Sequence, residues 1–411
     1  MRAPLYSEDP KEILDSKTIE NPYPLFARLR REHPIARIGD TGVHLVSTWQ
    51  LIEDALHREA DFSAHLTGVL MCDGEDRPTC FELPSLGAAN VIATADEPEH
   101  AAHRALAGPR LAAGRIAGLE GSLRGWARDA LQPWLGAGGG DFAPLAERVP
   151  ALAVAHVLGL PSDDVDRFRV WSMIGGDMLA GDVSSATLAR LAIETGQMVE
   201  YLGEHLDAAM QDLNEDVGAP LLHALGRGVQ SRIIGRDQAL GIAVVMFGAG
   251  GESTAALIGS TIRTLAENPV ITDSLRREPE KIPRFIEEVL RLETPFKFHY
   301  RSVRRPCRLG GFDLEPGDRL MLLWASANRD SEIIEDPNDL RLDRRFPKRH
   351  LSFGRGSHFC IGAALARLET RVMVEELLNR CSSLRFRAGA RPRYARSIFV
   401  RRLERLELEV S

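Results

Sequence analysis

The run from Ala239 to Ala266 limits the fold more than any other stretch, because it is apolar on almost every face. A helix without a polar face has to be buried on all sides. A chain of 411 residues is long enough to build a core around it. The centre of this helix contradicts its ends. Gly248, Gly250 and Gly251 cluster there, each costing about 1 kcal/mol of helix propensity relative to Ala. Glu252, Ser253 and Thr254 follow directly. Clustered glycines, and hydroxyls that compete for backbone carbonyls, cause local kinks or openings. Such violations inside a buried helix tend to mark functional sites. A purely structural alternative has the glycines serving close helix packing, with Glu252 paired to a buried Arg.

The second constraint is Phe353-Gly354-Arg355-Gly356-Ser357-His358-Phe359-Cys360-Ile361-Gly362, a loop that runs into a helical pattern from Ala363. Gly354 and Gly356 can adopt backbone angles that other residues reach only at a cost. The loop can therefore turn tightly and aim N–H groups at one sulfur. Donors of that kind, near the start of a helix, favour a thiolate over a thiol, and a held thiolate is a metal ligand. Gly362 leaves room for a flat partner close to the backbone. On its own, a single cysteine is more often a small buried hydrophobe. The five cysteines, Cys72, Cys80, Cys307, Cys360 and Cys381, are scattered without a CxxC pair. Neither a disulfide framework nor a zinc site is indicated, and a reducing compartment suits them.

The rest of the chain reads as one mostly helical domain with a minor β region. An apolar fraction of 44% and a charged fraction of 27% belong to a folded protein. A net charge of −7 argues against nucleic-acid binding. The first residues hold no long apolar segment, so no membrane anchor is expected and a cytoplasmic location is. Residues 1–20 are expected to be loosely ordered. Segments 35–48 and 297–325 read as β-rich, the first as a hairpin around Gly39-Asp40-Thr41-Gly42. Phe62 to about Thr94 has no sustained period, and a loop of that length is usually functional.

The cysteine loop matches the haem-ligand signature of the cytochrome P450 family, Phe-Gly-x-Gly-x-x-x-Cys-x-Gly, and the sequence resembles a soluble bacterial member. The resemblance spans roughly Asn21 to Val400. It implies a mainly α cytochrome P450 fold, a triangular helical bundle around haem b whose iron is ligated by Cys360. Phe353, Gly354 and Gly362 flank that ligand. Ala249-Gly250-Gly251-Glu252-Ser253-Thr254 matches the family's central helix, where Ala249 and Gly250 face the cofactor and the acid and alcohols relay protons. Ser253 stands where the family usually has Thr; its hydroxyl has the same donor and acceptor capacity and is less confined at χ1. His100, Arg104, Arg301 and His358 match the positions that hold the haem propionates. His103 lies nearby and is not needed by that pattern. Glu288 and Arg291, three apart on one helix face, together with Arg344, match the family's structural ion-pair set.

The implied activity is a monooxygenase that inserts one atom of O2 into an apolar small molecule. Its electrons are expected from a separate ferredoxin and ferredoxin reductase. Arg104, Arg110, Arg344, Lys348, Arg349 and Arg355 are expected to form a basic patch that steers an acidic ferredoxin. The expected substrate pocket comprises Leu66, Val69, Leu70 and Phe81 from the long loop, Met246 and Ala249, and Phe296, Ile398 and Phe399. Oxidative coupling or peroxide-driven catalysis on the same fold stays open. So does a haem-thiolate ligand sensor without turnover.

Overall fold

The computed structural model describes residues 1–7, 9–73, 77–83, 90–212 and 218–411. Residues 74–76 and 84–89, part of the long loop, lie outside the described residues. The apolar run forms one continuous rod in three parts: an α-helix over Arg236–Met246, a π-helical turn over Phe247–Glu252, and an α-helix over Ser253–Glu267. By length and composition this rod could cross a membrane, but it is mostly buried inside the protein. The glycine cluster therefore opens the helix by widening one turn, a feature frequent at functional sites.

The same glycines also let neighbouring helices approach. Helix Ala143–Leu158 brings Val154 so close that a Cβ on Gly250 would lie 2.7 Å from it. Helix Val165–Met178 crosses at Gly175 and Gly176; a Cβ on Gly251 would overlap Ser172. Packing and opening are thus two uses of one cluster. The principal core gathers around this rod and includes the cysteine-loop helix Ala363–Leu378.

A five-stranded sheet closes the other side, in the order Ile35–Arg37, Val43–Val46, Arg319–Leu322, His299–Val303, Phe62–Ser63. The expected hairpin is present, with Ile35 opposite Val46. Gly39 and Gly42 take φ of 49° and 72° in its turn, values that glycine adopts without strain. Arg319–Leu322 lies parallel to Val43–Val46 and antiparallel to His299–Val303, so the two β-rich segments join in one sheet.

Two expectations are corrected here. Among the described residues of the segment 1–20, Tyr6, Ile13, Leu14 and Ile19 are buried rather than loose, and the Tyr6 hydroxyl accepts the Ile13 N–H at 2.9 Å. The long loop is not wholly irregular either, because Gly68–Cys72 and Pro78–Glu82 pair as an antiparallel hairpin. The second strand is partly exposed and mixed in polarity, which left no period to read.

Candidate active site

Cys360 sits between a turn and a helix start. Gly354 and Gly356 take φ of 66° and 75°, which brings the chain round so that the Cys360 N–H donates to the Phe353 carbonyl at 2.9 Å. Gly362 then begins helix Ala363–Leu378. The N–H groups of Gly362 and Ala363 turn to the sulfur. Burial pushes the thiol above its ordinary range; those N–H groups and the charges of Arg367 and Arg104 pull it back. Arg367 lies 4.4 Å over the Phe353 ring and bonds Glu287 at 2.6 and 3.0 Å. His350 meets the same carboxylate at 2.9 Å, so helix Ile282–Leu292 is stapled to the cysteine loop.

The sulfur opens into the wall of a cavity with about 1440 Å³ of space free of protein atoms, its mouth included. Ala249, Gly250, Ser253 and Thr254 of the central helix, with Met246, line the same cavity. Phe353, Gly354 and Gly362 also border the space. A Cβ on Gly362 would meet only the Cys360 sulfur, at 3.9 Å, so the glycine keeps that face of the cavity clear.

His100, Arg104, Arg301 and His358 converge on one edge of the cavity. The rings of His100 and His358 stack with centroids 4.0 Å apart. His100 Nε2 and His358 Nδ1 are buried without a partner. Arg301 is 8% exposed and donates to the Tyr300 carbonyl at 2.7 Å; burial pushes its pKa down to about 10. Burial, and the nearby Arg301 and His100, hold His358 near 3. Arg104 spends one N–H on the Phe359 carbonyl at 3.0 Å. A buried guanidinium without a carboxylate, beside unpartnered ring nitrogens, calls for anions, and the two carboxylates of haem b suit it. Among the described residues no group of three or more His, Cys, Asp and Glu side chains is placed to hold a bare metal ion. A lone sulfur suits a metal that brings its own ring of ligands.

Glu252 departs from expectation. Its carboxyl does not border the cavity. It lies against Gly176, where a Cβ would overlap it, and pairs with Arg402 at 3.2 Å. At 0% exposure, its pKa is pushed up to about 8 by burial; Arg402 opposes that rise and Asp177 adds to it. Glu252 falls between the lining positions Ala249, Gly250, Ser253 and Thr254, off the face of the rod that borders the cavity. Ser253 borders the cavity but donates its hydroxyl to the Ala249 carbonyl at 2.5 Å. The structural alternative, glycines for packing and Glu252 on a buried Arg, is therefore present in full alongside the cavity-facing alcohols.

The expected pocket residues divide. Met246 and Phe296 border the cavity, whereas Leu66, Val69, Leu70, Phe81, Ile398 and Phe399 do not. Val69, Leu70, Ile398 and Phe399 are buried in a second core with Phe298 and Tyr300. There the Tyr300 hydroxyl accepts the Leu70 N–H at 3.0 Å. Phe81 is 53% exposed. Phe399 stacks behind Phe296 at 4.4 Å, one layer from the cavity. The walls are supplied instead by residues the sequence did not single out, among them Ile92, Ala93, Val245, Leu290 and His299. His299 Nδ1 accepts the Trp324 indole N–H at 2.6 Å. Glu369, buried on the cysteine side with Oε2 unpartnered, was also unseen.

The structural triad is assembled as expected. Arg291 forks onto Glu288 with two bonds of 2.9 Å, and Arg344 reaches the same carboxylate at 2.9 Å. Both guanidiniums also donate to backbone carbonyls between Asn328 and Asp339. The expected basic patch is smaller than supposed. Arg344 is spent on Glu288, Arg355 on Glu53 at 2.9 Å, and Arg104 on the cavity edge. Arg110 is partly buried, while Lys348 and Arg349 are exposed.

A cysteine held in a glycine turn, a buried helix with a π-helical turn at its centre and an edge of His and Arg side chains, all bordering one cavity, define a haem-thiolate protein. The chain belongs to the cytochrome P450 family. The family model, Cytochrome P450, matches residues 235–406. Cytochrome P450 144 of Mycobacterium tuberculosis is 37% identical over 413 residues, covering 98% of this chain and 92% of its own length. Erythromycin C-12 hydroxylase of Saccharopolyspora erythraea is 34% identical over 300 residues, 70% of this chain and 72% of that enzyme. The crystal structure of CYP109E1 from Bacillus megaterium in complex with testosterone has a TM-score of 0.83 at 25% identity, covering 96% of this chain and 99% of that one. CalO2 has a TM-score of 0.84 at 26% identity, covering 99% of each chain. Family members bind haem b through a cysteine thiolate, and the chain is a P450 monooxygenase.

Proposed function

We propose that residues 1–411 act as a single domain that holds haem b through Cys360 and oxygenates an apolar small molecule in the cytoplasm. Electrons come from a separate ferredoxin and its reductase. The observation that carries this reading is the Cys360 sulfur in the wall of a cavity whose edge gathers Arg104, buried Arg301 and the unpartnered ring nitrogens of His100 and His358. When bound, haem supplies oxygen activation, with the thiolate favouring O–O cleavage.

The chain's own residues do the rest. The Gly362 and Ala363 N–H groups offset part of the cost of burying the sulfur, and would favour its thiolate form as a ligand to haem iron. His100, Arg104, Arg301 and His358 orient the carboxylates by charge-assisted hydrogen bonds. Ser253 and Thr254 hold protons at their hydroxyls above the cavity floor. Glu252, buried behind them, acts as the reserve that reprotonates them through water or a side-chain rotation. Glu288, Arg291 and Arg344 keep the cysteine side rigid. Met246 and Phe296, with the unforeseen Ile92 and Val245, give the substrate an apolar wall. Relatives named for erythromycin hydroxylation or crystallised with testosterone support an apolar ligand of that size class.

Lys348 and Arg349, with exposed Arg345 and the 58% exposed Phe346, form the reduced patch for an acidic ferredoxin. Steering by so few charges weakens as salt is raised toward physiological strength. Turnover insensitive to ionic strength would remove ferredoxin docking from this reading. Peroxide-driven turnover is the second reading, favoured by the Glu252 carboxyl being turned from the cavity. The deciding experiment has two parts. The reduced, carbon-monoxide-treated protein is checked for the thiolate absorbance band, and NADPH consumption is followed with ferredoxin and reductase against hydrogen peroxide alone. No thiolate band, with the chain folded, would end the proposal.

A further inference from the structure

The long loop ends in a backbone that its sequence does not favour. Ile92 has a φ of 38°, a left-handed value that a β-branched residue takes only under constraint. Its side chain is 5% exposed and borders the cavity beside Ala93. The Ile92 N–H donates to His103 Nδ1 at 3.2 Å. His103 is 0% exposed on helix Glu99–Ala107, whose His100 and Arg104 border the cavity while His103 does not. An imidazole nitrogen that accepts a hydrogen bond carries no proton, so the ring is the neutral Nε2–H tautomer. Burial, with His100 nearby, holds its pKa below the usual histidine range and keeps that acceptor.

The neighbouring contacts fix the residues on either side of Ile92. Thr94 N–H donates to the Val91 carbonyl at 3.0 Å, and the Val91 N–H to the Thr94 hydroxyl at 3.2 Å. Further back, the Leu66 N–H donates to Asn90 at 3.2 Å. Only the imidazole is seen to hold the strained amide itself among the described residues.

We propose that His103 is a positioning residue for the monooxygenase site: through the Ile92 amide it holds the end of the long loop in the strained turn that presses Ile92 against a bound ligand. The proposal rests on the haem-thiolate reading above. It gives a role to the histidine that the carboxylate-holding pair His100 and Arg104 leaves unused. Ligands long enough to reach the Ile92 wall feel His103; those confined to the iron do not.

The test uses the haem-loaded full chain. His103→Leu removes the acceptor, and His103→Asn keeps an oxygen near the place of Nδ1. Ile92→Gly keeps the amide and its acceptor and removes the wall. Hydrogen exchange at residue 92 is read by mass spectrometry, and binding is read by optical titration with imidazole and with 4-phenylimidazole. His103→Leu is expected to speed exchange at least about tenfold and to weaken 4-phenylimidazole about tenfold, as for a buried amide left unpaired. Imidazole binding stays constant, and His103→Asn returns both readings toward wild type. Ile92→Gly weakens 4-phenylimidazole without faster exchange. Unchanged exchange in His103→Leu, equal losses for both ligands, no rescue by Asn, or full binding in Ile92→Gly each overturns the proposal. Failure of the haem-thiolate reading shows separately, as a wild-type protein lacking the thiolate band.

Discussion

Replacing Glu252 by Gln should flatten the pH dependence of stability in a defined window. The carboxyl is 0% exposed, and burial raises its pKa from the ordinary 4.5 to about 8. A group with a raised pKa in the folded state binds its proton more tightly there than in the unfolded chain. Its stabilising contribution is therefore complete below about pH 4.5 and is lost as pH rises to about 8. At about 1.4 kcal/mol for each pH unit, the loss across the window is about 5 kcal/mol. That equals the whole stability of a modest domain. Gln has the same shape and no such titration. Arg402 is not orphaned by the change, because Glu147 and Asp177 stand 3.8 Å from it. The assay is guanidinium unfolding of haem-loaded wild type and Glu252→Gln at steps between about pH 4.5 and 8.5. The difference between the curves should grow in favour of the variant by about 5 kcal/mol toward the alkaline end. Subtraction removes His103, His350 and His358, whose lowered pKa values act in the opposite direction in both proteins. Parallel curves would refute the reasoning, since Glu252 would then carry no unusual proton.

Glu288→Gln leaves two buried guanidiniums without their anion and should cost about 3–5 kcal/mol, read as a lower unfolding midpoint and poorer haem incorporation. A cost below about 1 kcal/mol would mean that the backbone carbonyls alone hold Arg291 and Arg344. Gly176→Ala places a methyl on the Glu252 carboxylate and should cost about 1–3 kcal/mol. Pairing it with Glu252→Ala should recover part of that cost, and strict additivity in the cycle would disprove the contact. Ser253→Ala should raise hydrogen peroxide release per NADPH consumed in the reconstituted system. An unchanged ratio would assign the protons to Thr254 or to water, leaving the Ser253–Ala249 bond a local helix contact.

The site was legible where a residue type is forced by chemistry. Cys360 with its glycines, His100 with Arg104, and Glu288 with Arg291 rest on local spacing, which survives folding, whereas Arg301, His358 and Arg344 were read from the family resemblance. The glycine cluster announced an interruption of the central helix for the same reason. The pocket walls were illegible because they depend on which face a strand or loop turns inward. Val69 and Leu70 were read as lining because they are apolar, but the hairpin pairing directs them to a second core with Phe298 and Tyr300. Ile92 drew no notice, since a left-handed isoleucine cannot be foreseen from its neighbours. Glu252 was placed on the cavity because the motif is contiguous. Successive helical residues point about 100° apart, so Glu252 leaves the face that Ala249, Gly250, Ser253 and Thr254 present to the cavity. The order of residues 1–20 was missed because Tyr6 and Ile13 are anchored by each other and by partners elsewhere in the chain.

The π-helical turn at Phe247–Glu252 has a consequence for how this protein can vary. It joins the two halves of the rod, whose residues Met246, Ala249, Gly250, Ser253, Thr254 and Leu257 border one cavity, and each residue there sets the facing of the next half by about 100°. Losing a single residue there would not shorten a loop. It would swing the alcohols and Glu252 round to new neighbours and leave Arg402 with only the more distant Glu147 and Asp177. Length at this point is therefore as strictly specified as chemistry, and any insertion or deletion has to be answered on Val165–Met178 and on the segment bearing Arg402 at once.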